Sequence, residues 1–303
     1  MFLFLASHFV LLVLSTQHYG SAGVEGILKS MSEWFFVFVV ALFGLIIGSF
    51  LNVVIYRFHT NRSLNDRSHC LSCGTTLKWY ELFPLFSYVA LRGRCRTCES
   101  YIPYRYALVE LLTAIAFILA FLSTSDIVIF LILAVFMSML VVVLVYDFYH
   151  MIIPDELSIS LTGVALVLVG YESWLVSDVT WFGYALLSAF VAFLFFFSLW
   201  WFSKGRWLGL GDAKLAVGLA LLVGIGGVFS LIVWSFWIGA LISLLIMLFQ
   251  RINLHKYFGF GTVHRVKMKS EVPFAPFLIL AFVIVHFFNA NVLTLIETIF
   301  TSV

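Results

Sequence analysis

Apolar residues run through this chain in long stretches, at about 34–56, 106–123, 127–146, 157–172, 180–202, 213–228, 229–249 and 274–288. Runs of about 20 apolar residues match the helix length that crosses the hydrocarbon core of a bilayer. They lack the strict alternation over about ten residues that marks a transmembrane barrel strand. The pattern predicts an all-α polytopic membrane protein with about eight transmembrane helices. The longest run, 213–249, is divided at Gly224, Gly226 and Gly227. Residues 1–15 are apolar too, but this stretch is short and lacks a basic start, so it stands outside the count. In chain order the reading is an N-terminal extension of no assigned role (1–33), a first transmembrane helix (34–56), a loop (57–105) and a core of about seven helices (106–303).

Composition narrows the class. Of 303 residues, 63% are hydrophobic and 11% charged, with a mean hydropathy of +1.10. Soluble domains carry about 25% charged residues, so a soluble globular enzyme, a disordered chain and a nucleic-acid binder are all excluded. Membrane lipid is the first partner implied. The formal charge of +2 matters less than where the charges sit.

Lys and Arg in short loops set membrane orientation. Between the first two spans lie Arg57, Arg62, Arg67, Lys78, Arg92, Arg94, Arg96 and Arg105. Lys204, Arg206 and Lys214 flank the loop between spans five and six, and Arg251, Lys256, Arg265, Lys267 and Lys269 precede the last span. With eight spans, 16 of the 17 basic residues fall on one face, leaving only Lys29 opposite. That face is predicted to be cytoplasmic, and the loop 57–105 forms a small cytoplasmic domain there. No internal repeat stands out, which speaks against the repeat architecture of many transporters.

The loop contains every cysteine of the chain, as Cys70-x-x-Cys73 and Cys95-x-x-Cys98. Two such pairs supply four thiolates to one tetrahedral Zn²⁺. A reducing cytoplasm disfavours two disulfides, and the βαβ setting of a redox pair is missing. The four cysteines are therefore expected to hold a structural zinc in a knuckle-like unit, with no open coordination position and no chemistry of its own. His69 reads as a surface neighbour.

Acidic residues near hydrocarbon are costly, about 2.5–3.5 kcal/mol at a helix centre on insertion scales. Asp147 closes the third span, where a negative charge opposes the helix dipole, so a purely structural role explains it poorly. Asp155 and Glu156 follow Pro154 at a helix start, where capping accounts for both. Asp212 precedes the sixth span, and capping and a site role are both open to it. Topology brings Asp147 and Asp212 to the same face at about the same depth. Two carboxylates that approach each other share a proton. One then activates water while the other polarises the scissile carbonyl and protonates the leaving amine. Gly209 and Gly211 leave the backbone beside Asp212 bare for close approach. Lys214 either snorkels or supports the charge of a carboxylate. Gly48, Ser49 and Asn52 share a face of the first helix and read as packing. Glu110 is expected to pair with Arg105 or Arg57. No metalloprotease, phosphate-loop or serine-hydrolase motif competes.

The ordered motifs resemble the type IV prepilin peptidases. They are Gly48–Arg57 (GSFLNVVIYR), the cysteine pairs, LRGRC at 91–95, YRYALVELL at 104–112, Asp147 followed after five residues by Ile-Pro-Asp, GLGDAK at 209–214, and VPFAPFL at 272–278. Two positions depart from that family's pattern, Ile153 in place of Leu and Ala275 in place of Gly. The resemblance implies that Asp147 and Asp212 are the catalytic pair of an aspartyl peptidase core in 106–303. It implies substrates that are prepilins or type II secretion pseudopilins with a short basic leader, and hence contact with pilus or secretion assembly machinery. It also implies N-methylation of the new amine from S-adenosylmethionine, at the cytoplasmic face of a bacterial inner membrane. No motif identifies the methyl-donor pocket; Gly93 is a weak candidate, with a tight turn as its plainer reading. Two other readings are an intramembrane G-x-G-D protease of the presenilin or signal-peptide-peptidase type, which lacks a four-cysteine loop, and a non-enzymatic transporter, which needs more polar residues deep in its spans.

Overall fold

A computed structural model describes residues 24–58, 68–251 and 273–294, and the apolar stretch 1–15 and most of the basic loop 250–273 lie outside them. The described residues form helices α1 (Val24–Arg57), α2 (Phe86–Ala90), α3 (Arg105–Ser123), α4 (Ile127–His150), α5 (Asp155–Val176), α6 (Val179–Ser203), α7 (Leu210–Arg251) and α8 (Ala275–Phe288), with a 3₁₀ turn at Trp79–Leu82. No strand occurs among them; two isolated bridges, His69 with Thr76 and Arg94 with Tyr101, lie in the cysteine loop. Six helices are long and apolar enough to cross a membrane, and α8 is a shorter apolar helix.

Local chemistry sets the helix ends. Asp126 caps α4, its carboxylate accepting the N–H groups of Val128 and Ile129 at 2.7 and 3.0 Å. Asp178 caps α6 through Thr180 N–H. Helices α4, α5 and α6 end on residues in the left-handed conformation, Met151, Ser177 and Lys204, which closes the last turn and redirects the chain.

The predicted break in the longest apolar run is real. Gly224 has φ 70° and ψ 176° inside α7, a conformation only glycine adopts readily. Before it, Ala220 accepts a 2.6 Å hydrogen bond from Ser188 of α6. After it, Phe236 stacks on Phe196 of α6 at 6.2 Å. Phe196 lies nearer than Ser188 to the end of α6 from which α7 departs, so the chain has reversed between 220 and 236. A straight helix would instead place Phe236 about 24 Å beyond Ala220. Two antiparallel legs of α7, with α1, α3–α6 and α8, make eight apolar helical segments among the described residues.

Small residues let the helices approach. A Cβ on Gly44 would lie 2.7 Å from Cα of Ala114, and one on Gly48 would lie 2.7 Å from Cα of Glu110. This is the small-xxx-small contact by which membrane helices gain backbone packing. Asn52, one turn further on, donates to the carbonyl of Tyr106 at 3.0 Å. The packing role read for Gly48 and Asn52 is thus observed. Gly218 likewise admits Leu161 of α5, and Gly239 admits Phe277 of α8. Phe136, Phe196, Phe282, Leu133 and Leu219 fill the interior between these helices. Gly48→Ala is expected to force α1 from α3 and destabilise the protein by about 1–3 kcal/mol, the usual overpacking cost. Thermal unfolding in detergent would register it as a lowered Tm, while Gly163→Ala, with open space at its Cβ position, should leave Tm unchanged.

Candidate active site and metal centre

Asp147 and Asp212 arise 65 positions apart and meet where three helix ends converge. Helix α4 continues one turn past the predicted end at 146, so Asp147 lies within its last turn, its carbonyl accepting the N–H of Met151 at 2.8 Å. Asp212 is the third residue of α7, and its Oδ2 accepts the N–H of Gly209 at 3.1 Å. That is the reach-back bond of a capping box, so Asp212 both caps its helix and faces the site. The carboxylates are near enough to interact electrostatically. Both are buried, Asp147 to 4% and Asp212 to 7% exposure.

The third helix end belongs to α8. The backbone N–H of Ala275, in its first turn, lies close enough to the Asp147 carboxylate to favour its charged form. An N-terminal amide stabilises negative charge there. The sequence signal was the closing proline segment 272–278, although the side chains alone do not reveal that its contribution is a backbone group. Asp147 Oδ2 is buried and has no hydrogen-bond partner among the described residues. An unpaired buried acceptor costs about 1–3 kcal/mol or more when charged, and persists where it serves a function.

The flanking motif residues position this pair. A Cβ on Gly211 would press on Ile153 at 3.1 Å, so the glycine seats the start of α7 against the Ile-Pro-Asp turn. A Cβ on Gly209 would lie 3.4 Å from Asp212 Oδ2. Lys214 Nζ forms its ion pair with Asp155 at 2.7 Å, on the surface. It ties α7 to α5. Glu110 also differs from expectation: its Oε2 accepts the N–H of Leu85 at 2.8 Å, joining α3 to the cysteine loop.

In that loop Cys70, Cys73, Cys95 and Cys98 converge, with all four sulfurs within 4.8 Å of one another. The two halves repeat one turn. Cys70 N–H bonds Thr75 O and Gly74 N–H bonds Cys70 O; Cys95 N–H bonds Ser100 O and Glu99 N–H bonds Cys95 O. Gly74 and Glu99 hold the same left-handed position in each turn, at φ 70° and 56°. Cys70 and Cys98 sulfurs are 3.8 Å apart. A tetrahedral zinc with Zn–S bonds of about 2.3 Å separates its sulfurs by about 3.8 Å, whereas a disulfide needs about 2.05 Å. The donor set therefore fits zinc. Backbone N–H groups of Cys73 and Ser72 aim at the Cys70 sulfur and bring its pKa down to about 6, favouring the thiolate that binds metal. Gly93 forms a turn with φ 67° beside Tyr88, and its backbone N–H and C=O are both bonded, to Tyr88 and Ile102. The turn reading of Gly93 accounts for these contacts.

Comparison with known proteins adds to the geometry. Residues 42–124 match the bacterial peptidase A24 N-terminal domain, and residues 134–244 match the type IV leader peptidase family. The chain is 36% identical over 225 residues to a prepilin leader peptidase/N-methyltransferase of Myxococcus xanthus, covering 70% of this chain and 64% of that relative. A type 4 prepilin-like proteins leader peptide-processing enzyme of Escherichia coli is 35% identical over 204 residues, covering 60% of this chain and 74% of its own. A prepilin leader peptidase/N-methyltransferase of Vibrio cholerae is 28% identical over 269 residues, covering 84% and 98%. No solved structure matches.

Proposed function

This chain belongs to the type IV leader peptidase family, and from that premise we propose that it removes the leader from prepilins or prepilin-like secretion subunits and methylates the amine it exposes. The observation that carries the reading is the meeting of two buried aspartates from separate helix ends, one with an oxygen left unpaired. In the proposed reaction an ionised carboxylate of the Asp147–Asp212 pair takes a proton from water as its oxygen attacks the scissile carbonyl. The protonated partner hydrogen-bonds the carbonyl oxygen. When the C–N bond breaks, a proton passes from the pair to the leaving amine, and the pair returns to holding one proton. Ala275 N–H keeps the Asp147 carboxylate oriented, and the Gly209 N–H does the same for Asp212. S-adenosylmethionine supplies the methyl group for the second step.

Eight membrane crossings, with the cysteine loop and both aspartates on the cytoplasmic face of a bacterial inner membrane, complete the proposal. Its support is the placement of 16 of 17 basic residues on one side. A basic leader stays on that side while the apolar helix behind it enters the bilayer, so the scissile bond arrives at the level of the aspartates. A zinc held by Cys70, Cys73, Cys95 and Cys98 would cross-link the two turns of the loop and leave no open position for catalysis. Through its products the enzyme would serve pilus or type II secretion assembly. The test is to incubate purified protein with a full-length prepilin and S-adenosylmethionine and measure product mass and N-terminus. Leader loss plus one methyl group is expected. Uncleaved prepilin with well-folded protein would overturn the peptidase reading, and cleavage without methylation would overturn the second activity.

A further inference from the structure

The segment Trp79–Val89, inside the cysteine loop, exposes apolar side chains that the peptidase site does not use. Trp79, Phe86 and Val89 are 75%, 66% and 72% exposed, with Leu82 and Phe83 exposed between them. Trp79 packs edge-on to Phe83 at 6.2 Å, and Phe86 and Val89 are three apart on α2, so the strip continues along one side. On a loop in water such a strip would be a liability. Its height in the molecule explains it. Leu85, in the middle of the segment, donates its N–H to Glu110. Glu110 is buried inside α3, five residues past Arg105, or about 7.5 Å along the axis. Arg105 sits at the membrane edge, its guanidinium 5.4 Å over the exposed ring of Tyr149 and beside exposed Tyr104, the aromatic-and-basic composition of an interfacial belt. The Glu110 side chain tilts back toward the helix N-terminus, so Leu85 lies between the level of Arg105 and that of Glu110, the stretch of α3 on which Leu108 is exposed.

We propose that Trp79–Val89 is an interfacial anchor that docks into the bilayer surface, held at its depth by the Glu110–Leu85 hydrogen bond, so that the cysteine module lies flat on the membrane. Its occupant is phospholipid. Amphipathic surface elements bury their apolar face about 5–10 Å into the headgroup–acyl boundary, a level that a segment held between Arg105 and Glu110 can reach. Charge agrees: Lys78 and Arg96 stack over the Tyr80 ring at 5.9 and 5.4 Å, and Arg92 and Arg94 are exposed beside the strip, where anionic headgroups would meet them. The inference rests on α3 crossing the membrane and not on the peptidase assignment.

Full-length protein carrying p-benzoylphenylalanine in place of Phe86 or Val89 would be reconstituted in phosphatidylethanolamine–phosphatidylglycerol vesicles, irradiated and analysed by mass. The exposed, charged position Glu99 serves as reference, and retained metal content verifies the fold. Phospholipid adducts are expected at 86 and 89, none at 99, with no loss when excess prepilin is added. The same adducts are expected in an Asp147→Asn background, which separates this outcome from loss of peptidase activity. Adducts to prepilin replacing those to lipid would make the strip a substrate surface and overturn the proposal. So would phospholipid labelling at 86 and 89 no greater than at 99.

Discussion

Asp147→Asn and Asp212→Asn are each expected to lower prepilin cleavage by about a hundredfold to ten-thousandfold, the range supplied by a positioned acid or base, with folding intact. Asparagine keeps the shape and an acceptor oxygen, so Ala275 N–H retains its partner at position 147 and Gly209 N–H retains its partner at position 212. What disappears is the exchangeable proton. With one amide in the pair, no arrangement contains both an ionised carboxylate and a carboxylic acid. The double variant is expected to be about as inactive as either single one, because groups that act as a unit are non-additive. Methylation of a prepilin supplied already cleaved should survive both changes, since methyl transfer to a free amine does not use the proton shared by the pair. Single-turnover cleavage with the product identified by mass would check this. Near-normal cleavage by either variant would mean that the pair does not perform the chemistry.

The second large effect belongs to the metal. Replacing Cys95, the buried cysteine of the four, with serine removes a thiolate from a closed site. Structural zinc contributes about 10–16 kcal/mol of apparent binding free energy in small modules, far more than two short turns supply by themselves. Zinc content of the purified protein should fall from one per chain to near zero. The loop should become protease-sensitive while the transmembrane helices stay folded. Methylation is expected to suffer more than cleavage; selective loss of cleavage with a normal fold would contradict a structural role for the metal. The pH dependence follows from Cys70. Its folded-state pKa lies below the ordinary thiol value, at about 6, so its thiolate contribution is complete above the ordinary value and is lost as pH falls through about 6. Protons then compete with zinc for this thiolate, so the apparent zinc affinity of the loop should fall more steeply below that pH, as read by metal titration at stepped pH. In chelator-treated protein at neutral pH, Cys70 should be the first of the four to react with iodoacetamide, as followed by peptide mass mapping.

Much of this was legible in residue order because the bilayer simplifies the code. Backbone groups in hydrocarbon must be satisfied within the helix, so each long apolar run had a single solution, and the glycine cluster at 224–227 marked the one place where a run had to reverse. The cysteines were legible for a related reason, since four thiols in two close pairs have few stable arrangements. Other contacts were not. Opposite charge makes arginine the partner that the sequence displays for Glu110, yet its bond is to the backbone amide of Leu85, which no side-chain pattern records. Spacing from Asp212 suggests that Lys214 supports a carboxylate's charge, and the ion pair it forms is with Asp155, about half a helix turn round from Asp212.

Apolar periodicity, basic-residue placement and motif spacing therefore determined the helices, the four-cysteine cluster and which two aspartates to pair, since each follows from local composition and from the cost of burying charge. Only the tertiary structure decided what each carboxylate touches. The amide of Ala275 on Asp147, the unpaired Oδ2, the closure of Gly211 on Ile153 and the depth of Leu85 all depend on how separate helix ends are brought together. Those distances are set by helix packing through small residues over the whole bundle, a sum of many weak contacts that no single stretch of sequence contains.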